Sequence, residues 1–384
     1  MPSARKIPCT LLRCDPQSDE NACGLLQMEH SVPPEILYAA YWYRSGTNAT
    51  MRGHLKGIVD SVLEMTNKPA ARVLDIGCND GTLLSNYPAA FIKYGVDPSD
   101  VAQEIMDPGT TVIQDIFPSA KLSEMLGTEK LDVVTSIAMF YDLERPVEFV
   151  ENIKDHLTTE GIWIFEMSYM PEMLLLDSYD TICHEHLEYY SLAAIEIILR
   201  KGGMKVFKIS FNDINGGSIR CYATHVENNS YSTKENSRLL DEIRLREFDM
   251  ELDTDKPYLA FQARIQQTKI ELHNALESLK MQGKRIHIYG ASTKGNTILQ
   301  WCDIDHSIID FAAERNPDKY GARTLGTDIP IISEAESRAM NPDYYLVLPW
   351  HFKKEFMERE QEALDKGTGF IFPLPKLEII KKIK

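Results

Sequence analysis

Three adjacent residues, His184-Glu185-His186, carry the clearest proton chemistry in the chain. Imidazole titrates near neutral pH, and a carboxylate beside it suits a general base. In an extended segment His184 and His186 share one face and Glu185 the other. Glu185 can then assist His186 only if the chain turns there. A metal reading of His184-x-His186 stays open, although the helical HExxH spacing is absent, and so does plain packing. A second candidate is the turn Gly290-Ala-Ser292-Thr-Lys294-Gly295-Asn296. It follows a short apolar run and opens a helical one, so its amides, Ser292 and Lys294 could cradle an anion such as a phosphate. Its Lys-Gly order is not the Gly-Lys-Ser/Thr of a P-loop, which argues against nucleotide hydrolysis. An unoccupied turn is the plain alternative. A third candidate is Asp75-Ile-Gly77-Cys-Asn79-Asp80-Gly81. Gly77 and Gly81 allow a tight turn and close approach of a ligand, and the spacing is not the G-x-G-x-x-G of dinucleotide binders.

The elements that must position these groups follow from apolar patterning. Strands are expected at Arg72–Ile76, Tyr94–Asp97, Thr111–Gln114, Leu131–Ile137 and Gly161–Met167, with a helix starting at Thr82-Leu83-Leu84. That alternation is the βαβ signature of a parallel sheet, whose ligands sit beyond the carboxyl ends of the strands. Arg52 to Glu64 reads as a helix leading in. Ser191 caps another that runs to Arg200 and stops at Gly202-Gly203. Lys205–Ser210 and Ser218–Thr224 form an antiparallel pair across a short Asn/Gly loop. Glu227 to Lys280 turns helical, with Pro257 between two helices and a stripe of Phe261, Ile265, Leu272, Leu276 and Leu279. Further strands at Arg285–Tyr289, Ile308–Ala312 and Tyr344–Leu348 make a smaller open α/β domain. The expected division is 1–52 as an N-terminal segment, 53–226 as the first α/β domain, 227–280 as a helical connector and 281–384 as the second. By topology the His184–His186 segment belongs near the carboxyl ends of the first sheet.

Bulk composition narrows the partners. A 384-residue chain is long enough for two or three domains, and 43% hydrophobic with 26% charged residues is ordinary globular composition. A net charge of −16 speaks against nucleic acid and anionic membrane surfaces, while leaving room for a locally bound anionic ligand. No N-terminal apolar run suggests a signal peptide and no stretch reaches the ~18 apolar residues of a span, so a cytoplasmic protein is expected. Seven cysteines without regular spacing fit a reducing compartment. Cys14 and Cys23, with Cys9 as a third, are an incomplete zinc set, and free thiols are the simpler reading. Tyr38 to Tyr43 is an aromatic cluster, read either as packing or as a source of a Tyr hydroxyl for the neighbouring site.

The D-x-G-x-N-x-G turn resembles the first motif of class I S-adenosylmethionine (SAM) methyltransferases, with Asn79 where many members carry glycine. That resemblance implies a SAM site built from Asp75, Gly77, Asn79, Gly81, Asp97, Asp115 and Ser136. Asp97 would accept ribose hydroxyls, and Asp115 would contact the adenine amino group. Five parallel strands closed by a hairpin are what that fold looks like. More specifically, SYDTICHEHLEYYSL, GGSIRCYATH, YGASTKGNTILQ and the segment Asn316–Ile331 are similar to the sugar C-methyltransferase family, over nearly the whole chain. The resemblance implies methylation at a carbon, typically C3, of a nucleotide-activated 4-keto-deoxysugar. It implies His186 as base with Glu185 assisting, His184 positioning the loop, and Tyr41 or Tyr43 reaching the site. The second α/β domain would help hold the nucleotide sugar through Gly290, Ser292, Lys294, Gly295 and Asn296. The chemistry would be enolate formation and attack on the SAM methyl, with no metal required. An O- or N-methyltransferase on a related sugar, or a non-catalytic binding protein, are the rival readings. Family members carry four zinc cysteines, and the first Cys-x-x-Cys pair is missing here, so zinc is doubtful. Cys183 stands where Tyr is common and Phe140 where His is common. A monomer or small homo-oligomer is expected.

Overall fold

The computed structural model describes residues 7–19, 21–37 and 43–382, so Tyr41 lies outside the described residues. The chain divides into two compact units. The first comprises residues 10–169 and 187–253, the second residues 170–186 and 254–382 together with the described residues before Thr10.

The first unit is built on a seven-stranded sheet. Its strands are β1 (Arg72–Ile76), β2 (Ile92–Val96), β3 (Thr110–Ile113), β4 (Leu131–Ile137), β5 (Leu157–Ser168), β6 (Met204–Asn212) and β7 (Ser218–His225). The order is β3-β2-β1-β4-β5-β7-β6, parallel from β1 to β5 and antiparallel at β7 and β6. The order reverses between β1 and β4, and this switch point opens beyond the carboxyl end of β1. Helix α1 (Ala49–Thr66) is capped by Asn48, whose side chain accepts from Thr50 N–H. Its buried stripe Leu55, Ile58, Val59 and Val62 packs with Val73, Val133, Ile162 and Ile164 on one face of the sheet. Helix α2 (Leu192–Lys201) starts at Ser191, whose hydroxyl accepts from Ala194 N–H. It covers the other face with Phe140, Trp163 and Phe165.

Two expectations need correction. Thr82 to Leu84 does not open an α-helix; the chain makes a single 3₁₀ turn, Leu84–Asn86, before Tyr87-Pro88. Proline lacks the N–H and excludes the helical conformation for the residue before it, which cuts the helix short. Ile308–Ala312 is displaced too, since the strand runs Phe311–Glu314. The Asp310 carboxylate accepts from Ile286 N–H and Lys280, which holds that residue outside the ladder.

The second unit has its own sheet of β8 (Ile286–Tyr289), β9 (Phe311–Glu314), β10 (Ile331–Ser333), β11 (Tyr344–Val347), β12 (Gly369–Phe372) and β13 (Glu378–Ile380). The order is β10-β9-β8-β11-β12-β13, parallel except for the last pair. Its switch point lies between β8 and β11, where helix α3 (Thr293–Trp301) begins. The 26-residue helix Lys256–Met281 belongs to this unit, and its Arg264 holds Asp177 at 2.8 Å. Among the described residues no helix is long and apolar enough to cross a membrane.

Phe140 is fully buried, stacked on Tyr190 at 5.1 Å and edge-on to Trp163 at 5.2 Å. That explains an aromatic ring at this position by packing. Phe140→Ala is expected to cost about 3–5 kcal/mol, the usual loss for a core phenylalanine. Urea denaturation checks it, and a loss under ~1 kcal/mol would show that the ring cluster collapses around the gap.

Candidate active site

Beyond the end of β1, three residues of the turn have positive φ: Gly77 at 72°, Asn79 at 49° and Gly81 at 74°. Glycine meets this without strain, and asparagine is among the few other residues that tolerate it. Asn79 is more than tolerated. Its N–H donates to Asp97 Oδ2 at 2.8 Å, its Nδ2 to the Tyr43 carbonyl at 3.0 Å, and its Oδ1 accepts from Ser45 N–H at 2.9 Å. Asp80 Oδ2 accepts from Gly46 N–H at 2.7 Å. The segment before α1 is therefore fastened to the turn by side chains a glycine in place of Asn79 could not supply.

Asp97 is buried at 7% exposure and also accepts from Ser99 N–H at 2.8 Å and Ser99 Oγ at 2.6 Å. Asp75, 3% exposed, accepts from Thr135 Oγ1 at 2.6 Å. Burial raises Asp75 to about 7, the Thr135 hydrogen bond opposing the rise and the nearby Asp97 charge adding to it. Two buried carboxylates, with no lysine or arginine from Asp75 to Thr82, suit a cationic ligand rather than a pyrophosphate. This donor set fits SAM, whose sulfonium and ammonium are positive.

The remaining expected cofactor residues are less uniform. Asp115 accepts from Ile116 N–H at 2.9 Å and from Ser119 Oγ at 2.8 Å. Ser136 is fully buried, and its hydroxyl accepts from Trp163 Nε1 at 2.9 Å. Its side chain is a core hydrogen-bond partner, turned toward Trp163 by the alternation along β4. Tyr43 is 47% exposed.

His184, Glu185 and His186 fold with the second unit. The segment is turned, with His186 N–H donating to the Cys183 carbonyl at 3.0 Å. His186 Nδ1 lies 2.8 Å from the Thr181 carbonyl, an acceptor only, so Nδ1 carries the hydrogen and Nε2 the lone pair. Burial lowers His186 to about 3, the Lys294 charge adding to the effect and the Thr181 bond opposing it. His184 has Cys9 Sγ at 3.8 Å from each ring nitrogen.

This segment is docked on the second sheet's switch point. Glu185 Oε1 accepts from Thr293 Oγ1 at 3.2 Å, the Ile182 carbonyl from Thr297 Oγ1 at 3.4 Å, and Asp180 Oδ2 from Trp350 Nε1 at 3.0 Å. Within the expected anion cradle some donors are already committed. Gly290 N–H donates to the Ala313 carbonyl at 2.8 Å, Ala291 N–H to Glu314 Oε2 at 2.9 Å, and Gly295 N–H to the capping Ser292 Oγ at 3.1 Å. Among the described residues, Asn296 Oδ1 and His351 Nδ1 are buried polar atoms without a hydrogen-bond partner. His351 is lowered to about 4 by burial, with Lys294 adding to it. Asp180, Trp350 and His351 were not legible as site residues in the sequence, because nothing local links them to the His184–His186 segment. Among the described residues no group of three or more His, Cys, Asp or Glu side chains is arranged to hold a metal ion. Cys14 and Cys23 are neighbouring free thiols.

A family model described as "Methyltransferase domain" matches residues 48–209, and one described as "C-methyltransferase C-terminal domain" matches residues 213–375. The chain is 27% identical over 363 residues to the C-methyltransferase NovU of Streptomyces niveus, covering 93% of this chain and 85% of the relative. Among solved structures, magnesium protoporphyrin IX methyltransferase (ChlM) of Synechocystis PCC 6803 with bound SAH is 17% identical, with a TM-score of 0.37 over 47% of this chain and 88% of that one. A Haloferax volcanii complex of the Trm112 activator with a methyltransferase matches at 15% identity and a TM-score of 0.36, over 45% of this chain and 94% of that one.

Two substitutions test the donor site. Asp97→Ala should weaken SAM binding by about 1–3 kcal/mol, and calorimetry showing unchanged affinity would remove Asp97 from the site. Asp75 is raised in the folded protein, so ionising it is penalised only there. Its stability contribution is present at low pH and lost as pH rises through about 7. Asp75→Asn should therefore stabilise the cofactor-free protein more at pH 8 than at pH 5, by about 3 kcal/mol. Equal thermal midpoint changes at both pH values would contradict that linkage.

Proposed function

We propose that this SAM-dependent C-methyltransferase acts on a nucleotide-activated keto-deoxysugar, at a carbon next to the ketone, with C3 of a 4-keto-6-deoxyhexose as the expected position. The observation carrying the reading is the docking of the His184–His186 segment onto the second unit's switch point, beside a lysine at a helix N-terminus. Open α/β sheets bind ligands at such points, and an anionic nucleotide sugar matches a lysine-bearing helix start.

SAM supplies an electrophilic methyl group on a sulfonium, and Asp75, Asn79 and Asp97 with the glycine turn are the residues proposed to hold it. On the acceptor side, His186 Nε2 takes the proton from the carbon next to the ketone. The Thr181 carbonyl keeps the hydrogen on Nδ1 and steadies the imidazolium that results. A histidine lowered to about 3 is a weak base, so the carbanion must be strongly stabilised as an enolate. The Lys294 charge that helps to depress His186 is the group proposed to do this, because it favours negative charge developing on the ketone oxygen. Glu185, held by Thr293, is proposed to assist the base, and His184 to position the loop. Gly290, Ser292, Gly295 and Asn296 are proposed to shape the sugar-nucleotide end of the site.

Incubation with SAM and a panel of 4-keto-6-deoxy nucleotide sugars tests this reading. The expected product bears a carbon-bound methyl in its NMR spectrum, alongside S-adenosylhomocysteine. A methoxy or methylamino product would instead assign O- or N-transfer. His186→Asn should lower the rate by roughly 10²–10⁴-fold and abolish solvent deuterium exchange into the alpha position, with SAM binding intact. Because His186 stays neutral above about 3, it should contribute no acid limb to the rate profile between pH 5 and 8. Exchange that persists in His186→Asn but vanishes in His184→Asn would move the base to His184.

A further inference from the structure

SAM is a zwitterion: its sulfonium and ammonium are positive and its α-carboxylate is negative. The donor turn answers the positive centres with Asp75 and Asp97, and it holds no lysine or arginine from Asp75 to Thr82. A carboxylate brought beside those acidic groups meets repulsion unless a cation stands with it. Two arginines at that end of the first sheet are already committed. Arg44 forks onto Glu104 at 2.9 and 2.5 Å. Arg220 Nε donates to Glu166 Oε2 at 2.8 Å, on a carboxylate that also pairs with His54 at 2.6 Å.

Arg52, in the first turn of α1, is different. One terminal nitrogen, Nη1, donates to the Gly46 carbonyl at 2.6 Å, and among the described residues the exposed side chain has no carboxylate partner. Gly46 in turn is pressed against the donor turn. Its N–H donates to Asp80 Oδ2 at 2.7 Å, and the neighbouring Ser45 N–H donates to Asn79 Oδ1 at 2.9 Å. A Cβ at Gly46 would fall 2.8 Å from Thr82 Oγ1 and 3.0 Å from Asp80 Oδ2, so only glycine allows this approach. Gly46 alone therefore stands between Arg52 and the donor turn. The buried stripe Leu55, Ile58, Val59 and Val62 fixes α1 to the sheet and so holds Arg52 in that place.

The chemistry of the group suits the missing partner. A guanidinium stays charged across the physiological range and presents five N–H donors in a planar fork. One bond to a carbonyl leaves enough of them for a bidentate contact with a carboxylate, which is the geometry this side chain matches best. The bond to Gly46 also orders the side chain before any ligand arrives, which lowers the entropy lost on binding. An arginine without a carboxylate partner, ordered beside two buried aspartates, supplies the one charge the donor turn lacks.

We propose that Arg52 binds the α-carboxylate of SAM. This rests on the placement of SAM at the glycine turn and is independent of which acceptor is methylated. The test is calorimetry of wild type and Arg52→Met with SAM and with decarboxylated SAM, which keeps the adenosine, sulfonium and amine and lacks only the carboxylate. Arg52→Met should weaken SAM binding about 10- to 100-fold, the loss expected for hydrogen bonds between charged groups. Decarboxylated SAM should bind the variant as it binds wild type. An equal loss with both ligands would mean that Arg52 serves only to hold Gly46, and unchanged SAM affinity would place the carboxylate elsewhere; either overturns the proposal. Asp97→Ala, measured with the same two ligands, separates this failure from a deeper one. If it weakens both while Arg52→Met discriminates neither, only the Arg52 assignment falls. If it weakens neither, SAM does not lie at the turn and the inference falls with that placement. Should Arg52→Met not fold, Arg52→Lys takes its place. It keeps the charge without the fork, so SAM should weaken several-fold with decarboxylated SAM unchanged, and a loss blind to the carboxylate overturns the proposal.

Discussion

The Asp97 carboxylate sets the geometry of the donor turn. It collects Asn79 N–H, Ser99 N–H and the Ser99 hydroxyl from two separate loops, and so locks the ends of β1 and β2 together. Three positive-φ residues in five positions would otherwise leave a turn with many conformations. Asn79 extends the same constraint to Tyr43 and Ser45, and from there to α1.

Placing Asp75 and Asp97 together in a buried site has a cost. Burial disfavours the ionised form of Asp75, the neighbouring Asp97 charge adds to that, and Asp75 rises to about 7. A cation bound nearby reverses that cost. The turn is therefore destabilised in a way that selects for a positively charged ligand, and a pyrophosphate would meet repulsion instead.

The second unit applies the opposite electrostatics. Burial lowers His186 and His351 and the Lys294 charge adds to it, while Asp180 faces the same charge from a buried position. A positive charge beside a neutral imidazole is a poor arrangement for a resting base and a good one for a reaction that creates an anion. The proposed chemistry gains where the charge develops, not before.

Much of this was readable in the sequence, for local reasons. The strands Arg72–Ile76 and Leu131–Ile137 are short and rich in Val, Leu and Ile, the hairpin has an Asn/Gly loop, and Ser191 caps its helix where expected. Turn chemistry and periodicity act over a few residues, so the sheet, the glycine turn and the Lys294 turn are legible one at a time. The helix expected after Gly81 failed because Pro88, seven residues on, outweighed the turn signal. Other features depend on contacts between residues far apart in the chain. Residues 170–186 pack with a sheet that begins a hundred residues later, so Trp350 meets Asp180 and Thr293 meets Glu185. Glu166 lies in an otherwise apolar stretch of its strand, and only folding pairs it with His54 and Arg220. Sequence by itself determined which elements form and which residue types could do chemistry. Tertiary structure decided which of those residues share a site, because burial and hydrogen-bond partners are set by packing between segments that no local pattern links.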